Sequence, residues 1–316
     1  VSALIDMHRL LLPNLDLLID TIGKKMLSTK GNVKTGRTHL MDAMPIDFSQ
    51  ELSGWKAQLE SVKKSLTLAT TRMSDLPQGG TAIGTGINSH KDFSKNFCLE
   101  VNKLTKFKTK PAKNFYQGLS SVDNAVELSS ALKNLSIILS KICNDLRWMN
   151  SGPLTGLGEI ELEALQPGSS IMPGKVNPVI PEAVNQTAFQ VIGNDLVITL
   201  AAEAGQMQLN AFEPVLAVNI LRSLRYMTNA MIMLRTKCVD GITANVEVCA
   251  RYVEQSPGIA TFFTPHLGYK ESARIAKKAL KDGMTVREII IKEGLMSEDQ
   301  VNEVLHVDNL TKPNIH

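Results

Sequence analysis

Apolar side chains recur at three-and-four spacing over five long stretches of this 316-residue chain, and few folds can use such stretches. Residues 1–28 place Leu4, Leu11, Leu15, Leu18, Ile19 and Ile22 on one helical face, with Pro13 a candidate kink. The pattern returns over 48–74, 121–149, 178–205 and 213–238. Helices this long are about twice the globular average of ~11–12 residues. Several are apolar on more than one face, the pattern of a bundle whose helices also pack against partner subunits. Strand-like alternation is scarce, and Gly/Pro/Ser punctuation falls at 77–90, 151–159 and 166–174. The expected fold is all-α, with residues 1–240 as a long-helix bundle. Beyond 240 the helical segments shorten to 246–254, 269–281, 285–293 and 298–305, which predicts a small helical domain over 241–316. The chain opens at Val1 already inside a helical pattern, which reads as a piece of a longer protein.

Charge is close to balance, with 34 Lys+Arg against 31 Asp+Glu, so neither nucleic acid nor an anionic membrane is an expected partner. No run reaches the ~18 apolar residues of a membrane span. Cys98, Cys143, Cys238 and Cys249 lie far apart without C-x-x-C spacing. That spacing excludes zinc ribbons and predicts reduced, buried thiols in a cytoplasmic protein. No metal cluster is visible.

The segment richest in chemistry is GSSIMPGKVNP, residues 168–178. It joins two helices and holds two hydroxyls, two glycines, a lysine and an asparagine. Asn177-Pro178 reads as an N-cap and first-turn pair, so the loop should feed a helix whose unpaired N–H groups and dipole suit a carboxylate. Lys175 adds a full positive charge. The residues alone describe an anion site on a mobile loop, or an ordinary Gly-Ser connection with a solvated lysine.

GSSIMPGKVNP resembles the signature of the fumarase/aspartase superfamily, and the similarity extends over essentially the whole chain. Thr35–Pro45, TGRTHLMDAMP, resembles the second conserved region of that family. Gly79–Asn88, GGTAIGTGIN, is similar to its GGTAxGTGxN loop, with Ser89 where a dinucleotide fingerprint needs its third glycine. The first conserved region of the family, S-x-N-D-x-x-P-T, would precede Val1.

The resemblance implies reversible anti elimination from a succinyl-type dicarboxylate to give fumarate, without an organic cofactor. It makes Ser169 the catalytic base and Lys175, Asn177 and Ser170 substrate contacts. Thr38 and His39 would bind substrate from the second region, and a Glu182–His39 relay is implied, against Glu182 as a plain first-turn acid. Thr85 and Asn88 are possible polar contacts. His8, His306 and His316 read as surface residues, and His90 and His266 have weaker claims. A lone serine hydroxyl is too weak an acid, so its alkoxide must be favoured by loop N–H groups and positive charge. The resemblance also implies a homotetramer whose sites each draw on three subunits.

Residues 179–186, VIPEAVNQ, and 201–215, AAEAGQMQLNAFEPV, look more like the aspartase branch than the fumarase branch, as does GITANVEVCARYVEQSPGI, 241–259. Ammonia elimination from aspartate is therefore the expected reaction. Hydration chemistry of the fumarase type and a non-catalytic tetrameric scaffold stay open.

Overall fold

The structure is a computed structural model that describes residues 1–313; His316 lies outside the described residues. Helix α1 (Ser2–Asp6) passes through a π-turn, Met7–Leu11, into α2 (Leu12–Ser28). There Leu12 N–H donates to Met7 O, one residue wider than an α-turn. The widening comes just before Pro13, whose ring cannot donate and needs room against the preceding turn. This is how the helix absorbs the proline anticipated as a kink.

A β-hairpin follows, β1 (Val33–Thr38) against β2 (Met41–Asp47), and then α3 (Phe48–Arg72). The two-residue strand β3 (Asp75–Leu76) pairs in parallel with β4 (Lys110–Pro111), on either side of α4 (Phe93–Thr105). Next come α5 (Phe115–Ser120), α6 (Asp123–Met149), β5 (Ile160–Glu161), α7 (Val179–Glu203) and α8 (Glu213–Leu234). A second π-turn, Arg235–Val239, ends α8 before β6 (Thr243–Ala244), which pairs antiparallel with β5. The short helices α9 (Val246–Gln255), α10 (Thr264–Leu267), α11 (Tyr269–Asp282), α12 (Val286–Lys292), α13 (Glu298–Val304) and α14 (Val307–Leu310) complete the described chain, with a 3-10 turn at Pro257–Phe263.

The chain forms two compact units. The first holds residues 1–21, 55–147 and 164–240. Its core is built from the stripes expected of long helices: Leu59, Val62 and Leu66 of α3; Leu132, Leu135, Leu139 and Ile142 of α6; and Val184, Val191 and Ile198 of α7 are all buried. Two of its buried polar side chains pair across helices. Asp195 of α7 accepts from Ser129 Oγ at 2.7 Å and from Lys133 Nζ at 2.5 Å, both on α6. Asn194 donates to Ser223 Oγ of α8 at 3.0 Å.

The second unit gathers residues 22–54, 148–163 and 241–316. The two units are discontinuous along the chain, and one of their boundaries falls at 240/241. Segments 22–54 and 148–163 belong with the C-terminal residues, because β1 packs against α9 and β5 pairs with β6. Ile259, Phe263, Ile275, Val286, Ile289, Ile290 and Val301 form its apolar core. Thr285 with Glu288 and Ser297 with Gln300 close capping boxes that start α12 and α13.

Among the described residues no helix is long and apolar enough to cross a membrane. No group of three or more His, Cys, Asp or Glu side chains there could hold a metal ion.

Candidate active site

In the first unit, residues 168–177 close into a ring. Gly168 N–H donates to Lys175 O at 2.7 Å, and Asn177 Nδ2 donates back to Gly168 O at 2.9 Å. A Cβ on Gly168 would stand 2.6 Å from Lys175 O and 2.9 Å from Lys175 C, so only glycine permits this approach of backbone to backbone. Asn177 therefore does not cap the following helix as its sequence context predicts. Helix α7 starts at Val179 after Pro178, with no side-chain cap, and the Asn177 amide is used to shut the loop.

Inside the ring, Ser169 Oγ accepts from two main-chain donors, Ile171 N–H and Met172 N–H, each at 3.2 Å. Both bonds would strengthen if the hydroxyl lost its proton, because hydrogen bonds to a charged acceptor are about twice as strong as neutral ones. Ser169 is half-buried, while Ser170 and Lys175 are exposed. Gln166, Ser169, Met172 and Lys175 line a concave space of about 500 Å³. The side chains of Ser170 and Lys175 have no hydrogen-bond or ion-pair partner among the described residues.

Glu182 sits in the first turn of α7, where the dipole favours an acid, and its Oε1 lies 3.6 Å from Arg147 of α6. Within its own unit its partner is thus a guanidinium. The Gly79–Asn88 loop folds on itself: Gly84 and Gly86 N–H both donate to Gly80 O, at 3.0 and 3.1 Å. Thr85 and Asn88 are exposed on it, with Asn88 left-handed at φ 62°. Asn88 and His90 border a hollow of about 450 Å³. No hydrogen bond among the described residues joins this loop to the 168–177 ring.

Thr38 and His39 belong to the second unit, at the tip of the β1–β2 hairpin rather than simply ahead of a long helix. Thr38 pairs with Met41, leaving His39 and Leu40 as a two-residue turn with φ of 56° and 60°. Two positive φ values are what a type I′ hairpin demands, but this turn lacks its usual glycine. Non-glycine residues held there cost of order 1 kcal/mol each or more, strain that accumulates at functional sites. Thr38 and His39 are exposed, and neither side chain has a partner among the described residues.

Sequence reasoning passed over one cluster below this tip. Glu159 is wholly buried, with its carboxylate 2.9 Å from Lys34 Nζ and 2.7 Å from Arg37 Nη1. Lys34 also meets Glu51 at 3.0 Å. Burial alone would lower the Lys34 pKa, but Glu51 and Glu159 outweigh it and hold the ammonium above its usual range. Arg37 stands inside the GRTH run and Glu159 inside GLGEIEL, so the charged residues were in view. Their pairing across 122 positions was not.

A family profile described as "Lyase" matches residues 1–193, and one described as "Fumarase C C-terminus" matches 259–312. The chain is 46% identical over 309 residues to an aspartate ammonia-lyase of Pseudomonas aeruginosa, covering 98% of this chain and 65% of that protein. It is 43% identical over 311 residues to fumarate hydratase class II 2 of the same organism, covering 98% and 68%. A solved fumarate lyase:delta crystallin from Brucella melitensis superposes with a TM-score of 0.94 at 42% identity, covering 99% of this chain and 67% of that one. The chain thus spans about two thirds of the length of the proteins it matches. The matching signature loop, the long-helix fold and these likenesses agree that the chain belongs to the fumarase/aspartase superfamily.

Proposed function

We propose that the protein containing this chain is a cytoplasmic aspartate ammonia-lyase, eliminating ammonia from L-aspartate to give fumarate. The observation that carries this reading is Ser169 Oγ, held by two loop N–H groups beside Lys175. In this account Ser169, as alkoxide, takes a proton from the carbon next to one substrate carboxylate. The electron pair is held as an aci-carboxylate and then expels the amine. Lys175 and Ser170 bind carboxylate oxygens, and Asn177 offers them the amide hydrogen not used in closing the loop. Thr38 and His39 contribute from the hairpin tip of another subunit, with Glu182 positioned for His39, and Thr85 and Asn88 supply polar contacts from the 79–88 loop. No organic cofactor enters any step.

A homotetramer fits the chain's surface. On α7, Phe189, Leu196 and Leu200 are 62%, 60% and 56% exposed, although the opposite face of the helix is buried. A helix apolar all round is normally covered on both sides.

The relatives divide between aspartate ammonia-lyases and class II fumarate hydratases at similar identity, which keeps water addition to fumarate as a second reading. The aspartase-like segments 179–186 and 201–215 favour ammonia. Parallel assays of the full-length protein on L-aspartate and L-malate separate the two. Fumarate released from aspartate alone supports the proposal, release from malate alone makes it a hydratase, and silence on both favours a scaffold.

A further inference from the structure

Glu159 is held at its backbone by two hydrogen bonds and at its carboxylate by one hydrogen bond, to Arg37, and one ion pair, to Lys34. Its N–H donates to Met149 O at 2.8 Å, and its carbonyl accepts from Asn245 N–H at 2.9 Å. Its carboxylate, 0% exposed, is divided between two cations of the same strand, Oε2 toward Lys34 and Oε1 toward Arg37. Arg37 is held twice more, by donating to Thr35 O at 3.3 Å and by lying 6.0 Å from the Tyr252 ring centre. The next residue along the strand is Thr38, and the next His39. Between Thr35 and Arg37 the hairpin register shifts, so that Gly36 faces two residues of β2, Ala43 and Met44. A Cβ on Gly36 would stand 2.5 Å from Met44 O, so the strands are as close there as they can be.

We infer that Glu159 is a positioning residue for Thr38 and His39, acting through Lys34 and Arg37 to fix the hairpin tip. A buried group that served stability alone could be apolar, since well-packed apolar side chains often replace buried ion pairs without loss. What the charged arrangement adds is direction: a buried carboxylate ion-paired with two cations of one strand favours one placement of the tip. The inference rests on the proposed lyase reading for its catalytic consequence, but not for its structural one.

The test uses the full-length protein with Glu159→Gln, which keeps shape and removes charge, and Arg37→Gln, which leaves Glu159 paired with Lys34 should the first variant fail to fold. Hydrogen exchange read by mass spectrometry over 37–42 should quicken in either variant, with the α12 amides unchanged. In the kinetic arm, kcat/KM should fall about 10- to 100-fold, the scale of a misplacement near 1 Å. Combined with Thr38→Ala/His39→Ala, the variant should add almost nothing, because both changes remove the same contribution. Arg37→Lys should recover part of the loss. Unchanged exchange at the tip, or losses that multiply in the combined variant, would overturn the inference. If the wild type acts on neither aspartate nor malate, the lyase reading fails while the exchange result still decides the positioning of the tip.

Discussion

Gly168→Ala isolates what the 168–177 ring contributes. The added methyl would meet Lys175 O at 2.6 Å, Lys175 C at 2.9 Å and Asn177 N at 3.0 Å, all backbone atoms that cannot swing aside. The ring must open, losing the Gly168–Lys175 and Asn177–Gly168 hydrogen bonds. At about 1 kcal/mol net for each bond, the closed loop loses about 2 kcal/mol. Each ~1.4 kcal/mol is tenfold, so the closed-to-open ratio falls ~30-fold, and the closed population with it where the loop is only marginally closed. Because that ring aims the Ile171 and Met172 N–H groups at Ser169 Oγ, kcat/KM for fumarate release should fall by the same ~30-fold. Residues 170–176 are exposed, so the cost falls on the loop and the thermal midpoint should barely move. Steady-state fumarate absorbance assays, paired with calorimetry, measure both. A variant within about threefold of wild type would refute the reasoning, showing that the closed ring is not the competent state.

Other expectations follow from the cores and the charges. Leu139→Ala, at a fully buried α6 position, should cost about 2–5 kcal/mol in denaturant unfolding. Asp195→Ala strands the buried Ser129 hydroxyl and removes the acceptor of half-exposed Lys133, at about 1–3 kcal/mol by the same measurement. Burial pushes the Cys238 and Cys249 thiols up to about 12 and about 11, and Cys143 well above its usual value. All four cysteines are free and buried, so alkylation at neutral pH should be slow in the native chain and prompt once it is unfolded. The Lys34 ammonium binds its proton more tightly folded than unfolded, so its stabilisation is fully present below pH 10.5 and fades as pH rises through the higher folded value. Urea midpoints between pH 9.5 and 11.5 should therefore fall more steeply in wild type than in Lys34→Met.

The long helices were legible because each writes its burial into a three-and-four stripe that tertiary packing only confirms: 121–149 became α6, and 269–281 became α11 within a residue. The β1–β2 hairpin was not legible. Its strands mix Lys34, Gly36 and Pro45 with few apolar residues, and its turn lacks the Asn-Gly that advertises a type I′ hairpin. Helix α4 also escaped, since Lys95, Asn96, Glu100 and Lys103 dilute its apolar stripe. At the site, Ser169 and Lys175 stood out from composition and resemblance, while the use of Asn177 as a loop latch depended on Gly168 coming close enough to accept from it. The Glu159 cluster is a product of topology: residues 148–163 join the hairpin only after the chain has built most of α3 and α6, and no local pattern encodes that return.

The central claim, that Ser169 is the base on a closed loop, is tested most directly by ammonia and fumarate release from L-aspartate with full-length wild type and Ser169→Ala. The account predicts robust release by the wild type and a loss of about 10²- to 10⁴-fold in kcat for the variant, with equal thermal midpoints and retained affinity for fumarate. Substantial turnover by Ser169→Ala would contradict it and place the base elsewhere.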